Sequence, residues 1–333
     1  MKHASATFAA TPLTSSGDSR HLLTTLIGDG RPLLAVGSLL LLVAGVIAIA
    51  LAASGYFLPH DAATIGMQAP ELCAHFDCHV VYFMIHDRVA FGGALIACGL
   101  LYLWLVNFPL ADQQRWAWWT LLLSNCAGFL SFLSYVGYGY LDSWHGVAAL
   151  GMLAIFSSGL LYSHRQIKWS QVSLIPRWRQ LRWNSVSLGW ILLLLLAAGL
   201  IGGGLVITLV GATAVFVPQD FAYMQATLAQ LHELSHHLVP VIAHDRAGFG
   251  GALWATGIAL MGMLLFATPS HHLVQVIGWA GWIGFGCAVG IHWLVGYTDV
   301  THLLPAYAGL WVLASGLWLV QGEFKPKPVA IGV

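Results

Sequence analysis

Long apolar runs separated by short polar stretches set the layout of this chain. Runs near 34–57, 86–106, 116–137, 145–162, 187–210, 244–266, 273–295 and 302–320 are each long enough to cross roughly 30 Å of hydrocarbon as a helix. The pattern predicts an all-α integral membrane protein with eight transmembrane helices. Composition agrees: 58% of the 333 residues are hydrophobic and 8% charged, against about 25% charged in an ordinary soluble domain.

The eight runs divide into two copies of one unit. Ile85-His86-Asp87-Arg88-Val89-Ala90-Phe91-Gly92-Gly93-Ala94-Leu95 returns as Ala243-His244-Asp245-Arg246-Ala247-Gly248-Phe249-Gly250-Gly251-Ala252-Leu253. Gly139-Tyr140-Leu141-Asp142-Ser143-Trp144-His145 returns at nearly the same offset as Gly296-Tyr297-Thr298-Asp299-Val300-Thr301-His302. Two motifs recurring in register mark a tandem duplication. The organisation read from this is a leader over 1–33, a four-helix repeat over 34–163, a basic linker over 164–186, a second four-helix repeat over 187–321 and a tail over 322–333, that is, two tandem four-helix bundles.

Charge orients the predicted spans. The chain carries 13 basic and 13 acidic residues for a net charge of zero. With the N-terminus inside, Lys2, Arg20, Arg31, Arg115, Arg165, Lys168, Arg177, Arg179, Arg182, Lys325 and Lys327 all fall on the cytoplasmic side. A multi-pass protein of the plasma (bacterial inner) membrane with both termini cytoplasmic is the expected topology. The basic linker, with Trp169, Trp178 and Trp183, suits lipid headgroups and not nucleic acid. The late start and length of the first apolar run speak against a cleaved signal peptide. Only Arg88 and Arg246, inside the repeated motif, break the rule, so something other than topology must hold them.

His86, His145, His244 and His302 head the even-numbered spans at their outer ends. Within one copy, spans two and four can be neighbours in a bundle, and two neutral imidazoles facing each other from helices are what a bis-histidine haem requires. Below His86, positions 90, 93 and 97 share its helical face; below His244, positions 248, 251 and 255 do the same. They read Ala90, Gly93, Ala97 and Gly248, Gly251, Ala255, two flat walls against which a porphyrin can lie, or against which a helix can pack closely. Arg88 and Arg246 are placed to hold haem propionates. The alternative for them is an internal salt bridge to Asp87 and Asp245, or to Asp142 and Asp299.

Other features read differently. His292, with Tyr135 as its counterpart, reads as a hydrogen-bonding core residue. His232-Glu233-Leu234-Ser235-His236 matches the HExxH zinc-protease pattern, but copy one has nothing similar there, and a chance match is easy among 16 histidines. Cys98, Cys126 and Cys287 read as packing residues inside spans. Cys73 and Cys78 lie in the first outer loop, where an oxidising compartment permits a disulfide. With His75, Asp77 and His79 nearby, that loop could also hold an ion, though surface or capping histidines are the commoner outcome.

Eight spans, two fused four-helix halves and a histidine at the head of every even span resemble the heme A synthase family over nearly the whole membrane region. The resemblance implies a haem-binding fold with His86 and His145 as one pair and His244 and His302 as the other, and an outer-loop cysteine pair such as Cys73 and Cys78 occurs in part of that family. In the family Arg follows His directly; here Asp87 and Asp245 intervene, so the resemblance bears on haem binding more than on the family's oxidation. The resulting expectation is a membrane protein with one bis-histidine haem b per repeat, metal ligands His86, His145, His244 and His302, and Ala90, Gly93, Arg88, Gly248, Gly251 and Arg246 around the cofactor. It would serve electron transfer or a haem- or quinone-linked oxidation among other membrane redox subunits. A non-catalytic subunit or carrier, and a pigment-binding subunit, are the competing readings.

Overall fold

The computed structural model describes residues 27–138, 140, 143–167 and 185–324. Most of the leader, most of the basic linker with its three tryptophans, Asp142 and most of the tail lie outside the described residues. The first half runs α1 (Arg31–Ser54), α2 (Pro59–Ile65), α3 (Ala69–Cys73), α4 (His79–Asn107), α5 (Arg115–Tyr138) and α6 (Ser143–His164). The second repeats the same order with α7 (Ser185–Ala212), α8 (Pro218–Met224), α9 (Leu228–Leu234), α10 (Leu238–Phe266), α11 (His271–Val295) and α12 (Val300–Val320), closed by a 3-10 turn at Gln321–Phe324. No strand occurs among the described residues.

Seven of the long helices, all but α5, are long and apolar enough to cross a membrane. Their outward faces are apolar, with Leu294 84% and Trp318 73% exposed, a surface suited to lipid and costly in water. α5, expected as the third span, has 24 residues but breaks its apolar run with Thr120, Ser124, Asn125 and Ser131, all buried. Ser124 donates to the carbonyl of Ala255 on α10 at 2.6 Å, and the Tyr102 hydroxyl of α4 lies 2.6 Å from it. The polar face of α5 therefore joins helices and does not meet lipid.

The helices pack in a way the two-bundle picture does not contain. α4 and α10, each of 29 residues, form a central pair in contact with each other. α1 packs on α4 and α7 on α10, as the linear order suggests. The third long helix of each copy crosses over: α5 packs mainly on α10, and α11 on α4. Glycine permits the tight crossings. Gly45 meets the backbone of Gly92 where α1 crosses α4, and Gly204 meets that of Gly250 at the corresponding α7–α10 crossing, where any Cβ would collide with backbone.

The short helices cap one end of the molecule. Proline in the first turn of each of α2, α3 and α8 starts these helices at no hydrogen-bonding cost. With the ends of α4 and α10 they enclose a second apolar cluster that includes Leu72, Val80, Phe83, Phe216, Met224 and Val241. Cys73 and Cys78 are disulfide-bonded beside this cap, and the second half has no such bond. α4 and α10 also start earlier than their apolar runs suggest, which sets His86 and His244 nearly two turns inside the helices and buries them. The HExxH segment forms no zinc pair of one helical turn, because α9 stops at Leu234 and Ser235 is extended.

Candidate functional site

In a helix, residues two apart point in nearly opposite directions, about 200° around the axis. For a helix wedged between two groups of neighbours, a His-Asp-Arg triplet must therefore send its histidine one way and its arginine the other. α4 and α10 are such helices. Beneath the cap are two cavities, of about 700 and 380 Å³. α4 offers His86, Asp87, Ala90, Ala94 and Ala97 to the first and Arg88, Phe91, Leu95 and Cys98 to the second. α10 does the reverse: Arg246, Phe249 and Leu253 line the first, and His244, Asp245, Gly248 and Ala252 the second.

The histidines consequently meet across the halves. In the larger cavity, His86 of the first half lies 6.3 Å from His302 and 4.8 Å from His292 of the second, ring centre to ring centre; His292 and His302 are 5.3 Å apart. In the smaller cavity, His244 of the second half lies 4.8 Å from His145 of the first, and His145 is edge-on to His60 at 5.0 Å. The expected pairs, His86 with His145 and His244 with His302, are thus replaced by His86 with His302 and His145 with His244. The reason is the crossing just described.

The arginines are engaged with carboxylates. Arg88 donates through Nη2 to Asp61 at 2.7 Å and through Nε to Asp245 at 2.8 Å. Arg246 donates through Nη1 to Asp220 at 2.6 Å and to the Val215 carbonyl at 2.8 Å, and through Nε to Asp87 at 3.2 Å. The salt-bridge alternative describes these contacts, with the partners exchanged between copies. Tyr140 donates to Asp61, and Tyr297 donates to Asp220 at 2.7 Å. Burial and the Asp220 carboxylate push the Tyr297 phenol well above its usual range, so it stays a donor. Four buried carboxylates share two guanidiniums in this network.

The small-residue walls divide in two. Ala90 and Ala97 line the larger cavity, and Gly248 and Ala255 the smaller. Gly93 and Gly251 line neither. A Cβ on Gly93 would fall 2.5 Å from Cys287 Cβ on α11, and one on Gly251 would strike Ser131 on α5. These two glycines serve the crossing helices, the packing alternative of the sequence reading.

Asp61, Asp220, Tyr140 and Tyr297 were given no role by the sequence reading, and His60 was not singled out. A signal existed: Leu58-Pro59-His60-Asp61 returns as Val217-Pro218-Gln219-Asp220, at nearly the spacing of the longer motifs. Asp299 caps α12 by accepting from the His302 backbone N–H at 2.8 Å, and the Thr301 hydroxyl bound to it holds its carboxyl below the usual range. Compared with models of known families, with curated proteins and with solved structures, the chain matches none.

Proposed function

We propose that this is a membrane haem protein whose haem would be held between His145 and His244 in the smaller cavity, the two rings, 4.8 Å apart centre to centre, separating by roughly 1.5 Å to admit an iron about 2 Å from each nitrogen. The observation that carries the reading is the join of the two halves there. One imidazole from each half stands at the head of a mainly apolar slot, and Gly248, Ala252 and Ala255 supply a wall of small side chains below. The His244 Nδ1–H donates to Asp245 at 3.1 Å, the outer hydrogen bond that typically orients a ligating histidine. A bound haem would supply reversible one-electron chemistry. The chain's own residues would hold it, keep water out and fix the charge around it, for electron transfer or a haem- or quinone-linked oxidation in the plasma membrane.

The larger cavity does not fit a second haem in the same way. Ring separations of 4.8, 5.3 and 6.3 Å place the His292 ring about 4 Å from the midpoint between His86 and His302. That position lies within the area a porphyrin between those two ligands would cover. One bis-histidine haem per chain is therefore proposed in place of one per repeat.

The test is the visible spectrum and haem content of the full-length chain purified in detergent. A Soret band with reducible alpha bands and about one haem per chain is expected, lost in His145→Ala and in His244→Ala and kept in His86→Ala. Far-red bands would favour a pigment-binding subunit, and a colourless protein a carrier or scaffold.

A further inference from the structure

We infer that His86, His292 and His302 form a site for a single transition-metal ion of the zinc or copper class, with its open coordination position facing the larger apolar cavity. The inference stands apart from the haem reading, which concerns the other cavity.

The three rings come from three helices, α4, α11 and α12, and one nitrogen from each lies within 4.8 Å of the others. Metal–imidazole bonds are about 2.0–2.1 Å, so ligating nitrogens on one ion stand at most ~4 Å apart. Closing the gap takes side-chain adjustment of less than an ångström. His86 and His292 are each more than nine-tenths buried.

Hydrogen bonding sets the protonation of the rings. His86 Nδ1–H donates to the Phe83 carbonyl, and His292 Nδ1–H to the Ala288 carbonyl at 2.6 Å. The proton of the Tyr297 hydroxyl goes to Asp220, so its oxygen accepts from His302 Nδ1–H at 3.2 Å. A tautomer with the proton on each outer nitrogen satisfies these three acceptors and leaves a lone pair on each Nε2. None can donate to another, and His292 Nε2 is buried with no hydrogen-bond partner. An unsatisfied buried polar group is costly. A cation at the centre of the three rings satisfies all of them together, and the outer hydrogen bonds are those that orient metal-ligating histidines.

Charge and shape agree. Asp87 Oδ1 lies 3.3 Å from His86 Nε2, and Asp87 and Asp220 share the single guanidinium of Arg246, so carboxylate oxygens stand beside the rings where a cation would be held. The donor set is nitrogen without sulfur, which suits zinc and copper(II). Three protein ligands with an open fourth position is the arrangement of a reactive metal site and not of a structural one. Below it the cavity of about 700 Å³ is walled by Ala94, Leu200, Phe285 and Leu313, so a molecule reaching the ion from that side is lipid-soluble. The first copy has Tyr135 at the sequence position that corresponds to His292, so this set of three histidines is not repeated residue for residue.

The experiment uses the full-length chain, purified with a tag that contains no histidine and without chelator. Metal is counted by mass spectrometry, and after stripping, Cu²⁺ is titrated back and followed by electron paramagnetic resonance. About one ion per chain and a signal with several nitrogen ligands are expected. His292→Tyr, which installs the residue of the first copy, should weaken Cu²⁺ binding by more than the roughly 10–100-fold that loss of an outer hydrogen-bond partner costs. Should that variant fail to fold, Tyr297→Phe removes the outer partner of His302, together with the hydroxyl's bond to Asp220, and should weaken binding within that range. His272→Gln, distant in the chain and bound to Trp104, should leave binding unchanged. Metal without haem would support the site and sink the haem reading. Wild type that takes up Cu²⁺ no more tightly than His292→Tyr would overturn the inference, as would haem lost on replacing either His86 or His302.

Discussion

Replacing Arg246 by methionine tests the crossed charge network most directly. The guanidinium is almost fully buried, with 7% of the side chain exposed, and binds Asp220 at 2.6 Å, Val215 O at 2.8 Å and Asp87 at 3.2 Å. Methionine fills much of the volume but leaves two buried carboxylates without their cation. Removing one partner of a buried ion pair costs about 3–5 kcal/mol, because the remaining charge is stranded and no longer solvated. Tyr297 still donates to Asp220, so the lower half of that range is expected. The control adds Asp87→Asn and Asp220→Asn to the same variant. With all three charges gone no ion is stranded, and stability should return to within about 1–2 kcal/mol of wild type. Reversible unfolding of the detergent-solubilised protein, followed by circular dichroism, gives both numbers. Arg88→Met should cost less, since Arg88 is 13% exposed. A loss under about 1 kcal/mol for Arg246→Met, or a triple variant no better than the single, would refute the account.

The glycines, the disulfide, the halves and the topology give four further outcomes. Gly251→Leu should separate α10 from α5 at Ser131 and destabilise the whole protein by about 1–3 kcal/mol or more, with haem content falling only as folding is lost; selective haem loss from a stable variant would return Gly251 to the cofactor wall. Cys73→Ser with Cys78→Ser should cost about 2 kcal/mol by loop-closure entropy, read as a shift in unfolding that reductant reproduces in wild type and does not in the variant. Either half expressed alone should lack both sites, while the halves co-expressed as two chains should regain haem; haem retained by one half alone would contradict the crossed pairing. Single cysteines introduced between 168 and 182 should resist an impermeant reagent applied from outside, and their labelling would reverse the expected orientation.

The apolar runs made most of the helices legible, and the repeated motifs made the duplication legible, because both depend on local pattern. Which helix lies beside which depends on surfaces that hydropathy does not encode. α5 shows the difference: Ser124 and Ser131 lower its apolarity, yet they are the residues that hold it against α10 of the other half. The four motif histidines were found from the repeat, whereas their partners were assigned by chain proximity and exchanged. His292 was passed over because a single histidine in an apolar helix is usually a core residue, and only the positions of His86 and His302 on either side give its nitrogen a use. Asp61 and Asp220 lie in the segments between spans, where the two copies have diverged and only a Pro-x-Asp remains to be noticed.

The exchange follows from the triplet itself. His, Asp and Arg in succession on a helix cannot face one cavity, so a central α4 must give its histidine to one side and its arginine to the other, and α10, carrying the same triplet, must answer in the opposite sense. Each cavity then receives the histidine and aspartate of one copy and the arginine of the other. Arg88 stays with Asp61 and Tyr140 of its own half while neutralising Asp245 beside His244; Arg246 stays with Asp220 and Tyr297 while neutralising Asp87 beside His86. The carboxylate beside each histidine is thus held, within the same cavity, by a cation that belongs to the other half. The duplication thus builds each cavity from residues of both halves, so that neither cavity is complete in one repeat alone.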